Sequence, residues 1–504
     1  MNGIRVLEAE SSYAIALTGK YLVDFGCTVF YLKTLPVNDA EYNAGVNRRL
    51  YQGKKIWTED AVSMDDEMDV ILCCANPPAV RGAICVKLPG FASNDIEYAD
   101  VPSYESFIMA MSGVFSDMGL NRTLLGVRTS YSHLPLASAY GSIFALFAIM
   151  IAIYEGRRDE IIEIPLGSAL TEALVHNSMR FPVHAAYVNL RKQKIMHGEF
   201  PITKEALADL IDPFFSTYEC SCGGFLYLVC PAHIRHQQRA LEILGIKEEV
   251  EKIVPVVDTY STRFQTGLGS GHLSSDQVKR VKPIIKEAFR KRSAEQWERQ
   301  LAEKDVPVAR VQTTSEWASG VHARQSGLIE SDGSAGPIAW VRHMHFSPPS
   351  GAPRQISKLR VIDMTNVIAG PTIGSMLARF GAEVIKVDPP KAFYSPDVTV
   401  IYGLAANAGK RSVLLDAKRA EDTLDALLRS ADVLTINATK PAMRRLGLDD
   451  DRLRIINPRL VVVRFDAYGG PLEAGPRADH VSYDDNIQAA TGIMARFGGG
   501  INTC

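Results

Sequence analysis

The chain repeats itself. Ile4-Arg5-Val6-Leu7-Glu8 is answered 355 residues later by Leu359-Arg360-Val361-Ile362-Asp363, and Phe25-Gly26 by Phe380-Gly381 at the same spacing. Met68-Asp69-Val70-Ile71-Leu72 is answered by Ala431-Asp432-Val433-Leu434 at a spacing of 363. Ser103-Tyr104-Glu105 with Ser112-Gly113 is answered by Ser482-Tyr483-Asp484 with Thr491-Gly492 at 379. Four matches in one order, with spacings that drift as loop insertions would make them drift, mark a duplicated unit. Residues 1–353 read as one whole unit and 354–504 as the beginning of a second. The proline-rich stretch Phe346–Pro353 suits a stiff connector between them.

Inside the second unit, short β-branched runs alternate with helical patterns. Strands are expected at Arg360–Asp363, Glu383–Val387, Ser412–Leu415, Val433–Ile436 and Arg459–Phe465, and helices at Thr372–Phe380, Lys418–Ser430 and Ala442–Leu446. That alternation predicts a parallel, Rossmann-like sheet. The first unit begins the same way, then runs through an apolar helix to a strand at Ile161–Ile164 and a helix at Ser168–Met179. After Pro213 the texture changes. Gly223-Gly224 joins two strand-like runs within Tyr218–Cys230, helical segments follow at His233–Leu244 and Asp276–Glu303, and a short strand at Val306–Val311. The fold class is therefore α/β: a Rossmann-like sheet domain with an inserted smaller α+β domain at about 205–345, followed by a partial second copy of the sheet domain.

The charge balance, 55 Lys+Arg against 57 Asp+Glu, leaves no general basic footprint for nucleic acid. The eight cysteines lack paired CxxC spacing, so they read as reduced, buried thiols and not as a disulfide frame or a metal site. The N-terminus is not a signal peptide, and Ile501–Cys504 is neither a prenylation box nor a peroxisomal tripeptide. Leu134–Tyr154 is uncharged over a length that spans a bilayer. Its Ser, Tyr and Gly, and its isolation, favour a buried core or interface helix over a membrane segment. The expected setting is intracellular, cytoplasmic by preference, with peroxisome and mitochondrion left open. Gly403…Gly409-Lys410 has the wrong spacing for a P-loop, and Asp449-Asp450-Asp451 lacks the Gly and Glu of a calcium loop.

Val361-Ile362-Asp363, Val367-Ile368-Ala369-Gly370-Pro371, Gly381–Pro390, Asn407 with Gly409–Val413, Leu415-Asp416, Asn437, Arg445-Leu446-Gly447, Asn457–Leu460 and Tyr483-Asp484 together resemble the start of the class III CoA-transferases, the CaiB–BaiF family. The first unit resembles the same family more distantly, through Asp69-Val70, Ala110–Gly113, the helix Ser138–Tyr154, Gly223-Gly224, Trp297 and Val306–Ala309. It has Ala14-Ile15-Ala16 where the second has Ala369-Gly370-Pro371, and Lys33 where the second has Asp388.

The resemblance implies an enzyme that moves CoA from an acyl-CoA to a carboxylic acid acceptor. An Asp carboxylate attacks the thioester, and an aspartyl-CoA thioester carries the CoA across. It also implies interlocked dimers with each CoA between the large domain of one subunit and the small domain of the other. A tandem chain can make that an intrachain pseudo-dimer, with a homo-oligomer as the other assembly.

The family nucleophile falls on Ser138, and no carboxylate occurs from Asn121 to Tyr154. The equivalent position of the second unit falls near 517, past Cys504. A truncated gene product, or a chain that pairs with a complete partner, would account for both. For CoA itself, the resemblance points to Val367 and Ile368 before a helix N-terminus, to Leu415, Asp416, Ala417 and Lys418, to Asn437, Ala438 and Thr439, and to Arg445. Lys418 and Arg445 are the candidate phosphate cations, whereas Pro389 and Val481 stand where some relatives carry one. Tyr483, with Tyr104 as counterpart, stands where the racemase branch has His and so favours transfer over racemisation. A catalytically inactive CoA-binding subunit is the remaining alternative.

Overall fold

The computed structural model describes residues 1–32, 49–57, 68–75, 81–117, 134–177, 212–230, 233–257, 266–269, 273–342, 355–391 and 403–498. The connector 346–353 and the last six residues lie outside them. The chain divides into two compact units, Met1–Ser178 with Pro337–Ile356, and Met179–Gly336 with Ser357–Cys504. Each holds one parallel sheet, and the small domain groups with the second.

In the first compact unit, six parallel strands run β1 (Arg5–Glu8), β2 (Thr28–Leu32), β3 (Lys55–Trp57), β4 (Val70–Cys73), β5 (Ile84–Lys87) and β6 (Glu160–Glu163), in spatial order 3-2-1-4-5-6. Val6, Val29, Val70, Leu72, Ile84 and Val86 are buried, as strands covered on both faces require. The helix Leu136–Tyr154 is apolar on every side and lies against the helices Tyr13–Asp24 and Leu166–Asn177. It is long and apolar enough to cross a membrane, and here Ala137, Ala145, Ile149 and Ala152 are sealed in a protein core.

In the second compact unit, β10 (Arg360–Met364), β11 (Glu383–Asp388), β12 (Arg411–Leu414), β13 (Val433–Ile436) and β14 (Val461–Arg464) lie in the order 12-11-10-13-14. This is the first sheet's order without its sixth strand. The register repeats as well: Arg5 pairs with Thr28 and Arg360 with Glu383, while Val6 pairs with Val70 and Val361 with Val433. Even the anchor at the strand foot recurs, with Arg5 N–H donating to Asp69 at 2.9 Å and Arg360 N–H to Asp432 at 3.0 Å.

The small domain is an antiparallel sheet of β7 (Phe215–Glu219), β8 (Phe225–Val229) and β9 (Val308–Arg310), turned at Gly223, whose φ of 74° suits a residue without Cβ. Its own core gathers Leu226, Leu228, Ile285, Phe289, Trp297 and Leu301. The segment Asp276–Glu303 is two helices, Ser275–Phe289 and Ala294–Ala302, because Ser293 opens the second with a capping box on Gln296. Other boundaries differ from the sequence reading by up to three residues. Cys222 is exposed in the hairpin turn, against the expectation of buried thiols, whereas Cys27, Cys73, Cys85, Cys220 and Cys230 are buried.

Candidate functional site

Strand order reverses between β10 and β13, and it is in the crevice outside the strand carboxyl ends at such a point that open α/β sheets place their ligands. Two loops meet there through a reciprocal pair of bonds. Asn366 N–H donates to Asn437 Oδ1 at 2.9 Å, and Asn437 Nδ2 donates to the Asn366 carbonyl at 3.0 Å. The next residue, Val367, has φ of 69°, a left-handed conformation that strains a β-branched side chain. The helix Ala369–Arg379 then begins with no side-chain cap. Gly370 lets it start close to the crevice, since a Cβ there would lie 2.6 Å from Thr365 Cβ and 3.1 Å from Asn437 Nδ2. Thr439 caps the helix Lys440–Arg445 on the other side, accepting the Ala442 N–H at 3.4 Å.

Beneath this loop lies a buried ion pair. Lys410 Nζ donates to Asp363 Oδ2 at 2.6 Å, to the Pro371 carbonyl at 2.6 Å and to Asn407 at 2.9 Å. Asp363 Oδ1 accepts both the N–H and the hydroxyl of Thr365, at 2.9 and 2.5 Å. The first unit has the same device at the repeat spacing. Lys54 bonds Glu8 and the Ala16 carbonyl, the counterparts of Asp363 and Pro371. Gly19 and Gly374 are also counterparts, and a Cβ at either would press into the carboxylate beneath it. Burial pushes the Glu8 carboxyl up to about 7 and the Lys54 and Lys410 ammonium groups below their ordinary range.

The two crevices differ at their openings. In the first unit, Ser12 stands where the second has Val367, keeps extended backbone, and caps its own helix by accepting the Ile15 N–H at 3.2 Å. Glu10 reaches across the strand reversal to take the Cys74 N–H at 2.9 Å. A shallow pocket there is lined by Glu8, Glu10, Ser11, Ser12, Tyr31 and Tyr51.

Ser138 lies in the first turn of Leu136–Tyr154 and is buried. Its hydroxyl donates to Glu105 Oε2 at 2.6 Å, and its N–H to the same oxygen at 2.9 Å. The Ala137 N–H donates to Glu105 Oε1 at 2.8 Å. A carboxylate does therefore sit at this position, brought in from another helix as a cap for the helix N-terminus.

In the second compact unit, the loop after β14 runs against the small domain. Gly470 approaches Ser326 so closely that a Cβ would lie 2.4 Å from its carbonyl, and Leu472 N–H donates to that carbonyl at 3.0 Å. Arg477, buried, donates to both Glu298 oxygens at 2.8 Å and to Gln312 at 3.1 Å. Burial pushes the Glu298 carboxyl up, but Arg477 and Arg310 overcome it and hold it below the usual range. His322 Nε2 faces the Tyr468 carbonyl at 2.9 Å, and its Nδ1 accepts the Arg477 N–H at 3.2 Å, which fixes a neutral ring. Burial pushes that ring down to about 4. Asn486 and Ala489 complete the seam by bonding Tyr227 and Gln312.

The family model described as CoA-transferase family III matches residues 79–354 and 356–502. The chain belongs to CoA-transferase family III. The CoA-transferase/lyase DddD of Marinomonas sp. (strain MWYL1) is 30% identical over 581 residues, which cover 98% of this chain and 69% of that protein. The succinate–glutarate CoA-transferase of Agrobacterium fabrum is 35% identical over 159 residues, 28% of this chain and 39% of its own length. A CaiB/BaiF family protein from Brucella suis superposes with a TM-score of 0.45 at 16% identity, over 68% of this chain and 92% of that one.

Of the positions that the family resemblance singles out, Val367, Ile368, Asn437, Ala438 and Thr439 come together at the strand reversal. Leu415, Asp416, Ala417 and Lys418 follow β12, two strands away at the same carboxyl edge. There the Leu415 N–H donates to the Asp388 carbonyl and the Lys418 N–H to Asp416. Lys418 and Arg445 are exposed. Tyr483 lies apart from these, partly buried in the seam beside Ala489, Ala490 and Tyr227. The sequence reading missed Glu105, the two acid–lysine pairs and the Glu298–Arg477 pair. Gly53-Lys54-Lys55 does echo Gly409-Lys410-Arg411 at a spacing of 356, a signal that could have revealed the first-unit pair.

Proposed function

We propose that this chain handles CoA as an acyl-CoA:carboxylate CoA-transferase, holding the nucleotide at the carboxyl edge of β10–β14 beside the small domain. The observation that carries this reading is the contrast between the two crevices. The second has an uncapped helix N-terminus behind a pinned loop, whereas in the first Ser12 caps the helix and Glu10 is spent on the Cys74 and Ala75 N–H groups. An uncapped helix start favours phosphate through its N–H groups and its dipole. Lys418 and Arg445 are exposed cations for the remaining phosphate charge. Membership of the family and likeness to DddD along nearly the whole chain support CoA transfer as the chemistry.

Anhydride formation needs a free carboxylate, and the first unit does not offer one at Ser138, whose hydroxyl is committed to Glu105. That observation favours a second reading, a CoA-binding subunit without turnover. One experiment separates them. The purified chain is titrated calorimetrically with CoA, then incubated with an acyl-CoA and a panel of carboxylic acids while new thioesters are followed by mass spectrometry. Submillimolar binding with exchange supports the transferase, and binding without exchange the non-catalytic subunit. No heat of binding up to millimolar CoA overturns both.

A further inference from the structure

Lys410 touches no position at which a ligand is proposed to sit, yet the loop that enters the crevice hangs from it. Its ammonium group holds Asp363, which is completely buried. Asp363 holds Thr365 by two bonds, and the following residue, Asn366, is locked to Asn437. Only then does the chain enter the left-handed turn at Val367 and open the uncapped helix. A strained turn persists where its surroundings over-determine it. Here the over-determination is this chain of bonds, and Lys410 also grips the helix itself through the Pro371 carbonyl.

The first unit supplies an internal control. Lys54 bonds Glu8 and the Ala16 carbonyl in the same way, but the residue at the position of Thr365 is Glu10. Glu10 binds Cys74 and Ala75, and the loop reaches its helix with Ser12 in extended backbone. The same buried pair thus underlies a loop that is not strained.

We propose that Lys410 is a positioning residue for the CoA site. It acts through Asp363 and Thr365 to hold the strained 366–368 turn in the shape that receives phosphate, while Lys54 is structural only. This rests on the CoA site proposed above.

The test compares Lys410→Met, Lys54→Met and Thr365→Val in the whole chain, reading CoA affinity by calorimetry and stability by thermal unfolding. Both lysine variants are expected to lower the melting temperature, since each strands a buried carboxylate. Only Lys410→Met is expected to weaken CoA, by about tenfold or more. Thr365→Val keeps the shape and both charges, and is expected to weaken CoA with a smaller loss of melting temperature than Lys410→Met, so the result stands even if Lys410→Met does not fold. Wild-type affinity in Thr365→Val, or equal loss in the two lysine variants, overturns the positioning role alone. Failure of the wild-type chain to bind CoA overturns it together with the site on which it rests.

Discussion

At Ser138 a single side chain redirects the end of a helix. The serine gives its hydroxyl to Glu105, and the glutamate satisfies the Ala137 and Ser138 N–H groups of a buried helix. Removing the cap should matter more than removing the hydroxyl. Glu105→Ala is expected to destabilise the first unit by about 1–2 kcal/mol, and Ser138→Ala by about 1 kcal/mol or less. Hydrogen exchange localised to peptides of residues 134–154 would show both losses. Neither substitution should change CoA affinity, which calorimetry checks.

Among the elements, the seam that joins the small domain to the β10–β14 sheet concentrates the ionisable groups. His322 is buried and neutral, with Arg477 on one side and the Tyr468 carbonyl on the other, and His480 and Glu298 nearby. Its folded value, about 4, lies below the ordinary 6.5, so the unfolded chain binds the proton more readily. Stability from this residue is complete above pH 6.5 and is lost as pH falls towards 4. His322→Gln should flatten that slope in urea denaturation series across this range. Breaking the ion pair should weigh at least as much. Glu298→Gln leaves Arg477 an uncompensated buried cation, with an expected loss of about 3–5 kcal/mol in the same denaturation experiment.

The strands of the second unit and the duplication were legible in the sequence because β-branched runs and a repeated spacing both register along the chain, whereas the spatial order of the strands was not. Val433–Ile436 was placed without error. The seam was not legible. Glu298 and Arg477 are 179 residues apart and belong to different copies of the repeat, so no local pattern links them. Glu105 escaped for a related reason: a search along the helix for its own carboxylate does not find one that arrives from a neighbouring helix. The candidate site was half legible. The family resemblance pointed to Val367 and Asn437, but the buried acid–lysine pairs below them follow from packing depth, which periodicity does not encode.

Across the whole molecule, duplication has produced two sheets of one order with unequal openings. The first helix start is capped by Ser12, and the second, after Val367, carries no side-chain cap. Calorimetric titration is therefore expected to give one CoA per chain, and a Lys418→Glu, Arg445→Glu variant should lose that single site. A stoichiometry of two would mean that the first crevice rearranges to accept phosphate.

The grouping of the small domain with the later sheet also sets a timetable for synthesis. Trp317 and Val311 leave the ribosome about 150 residues ahead of Tyr468 and Ala489, the groups that cover them. At roughly 5–20 residues per second, that apolar face stays bare for about ten to thirty seconds in each nascent chain. The small domain can complete its own core in that interval, but its outer face must wait. During translation, this surface is open to a chaperone, or to the wrong partner.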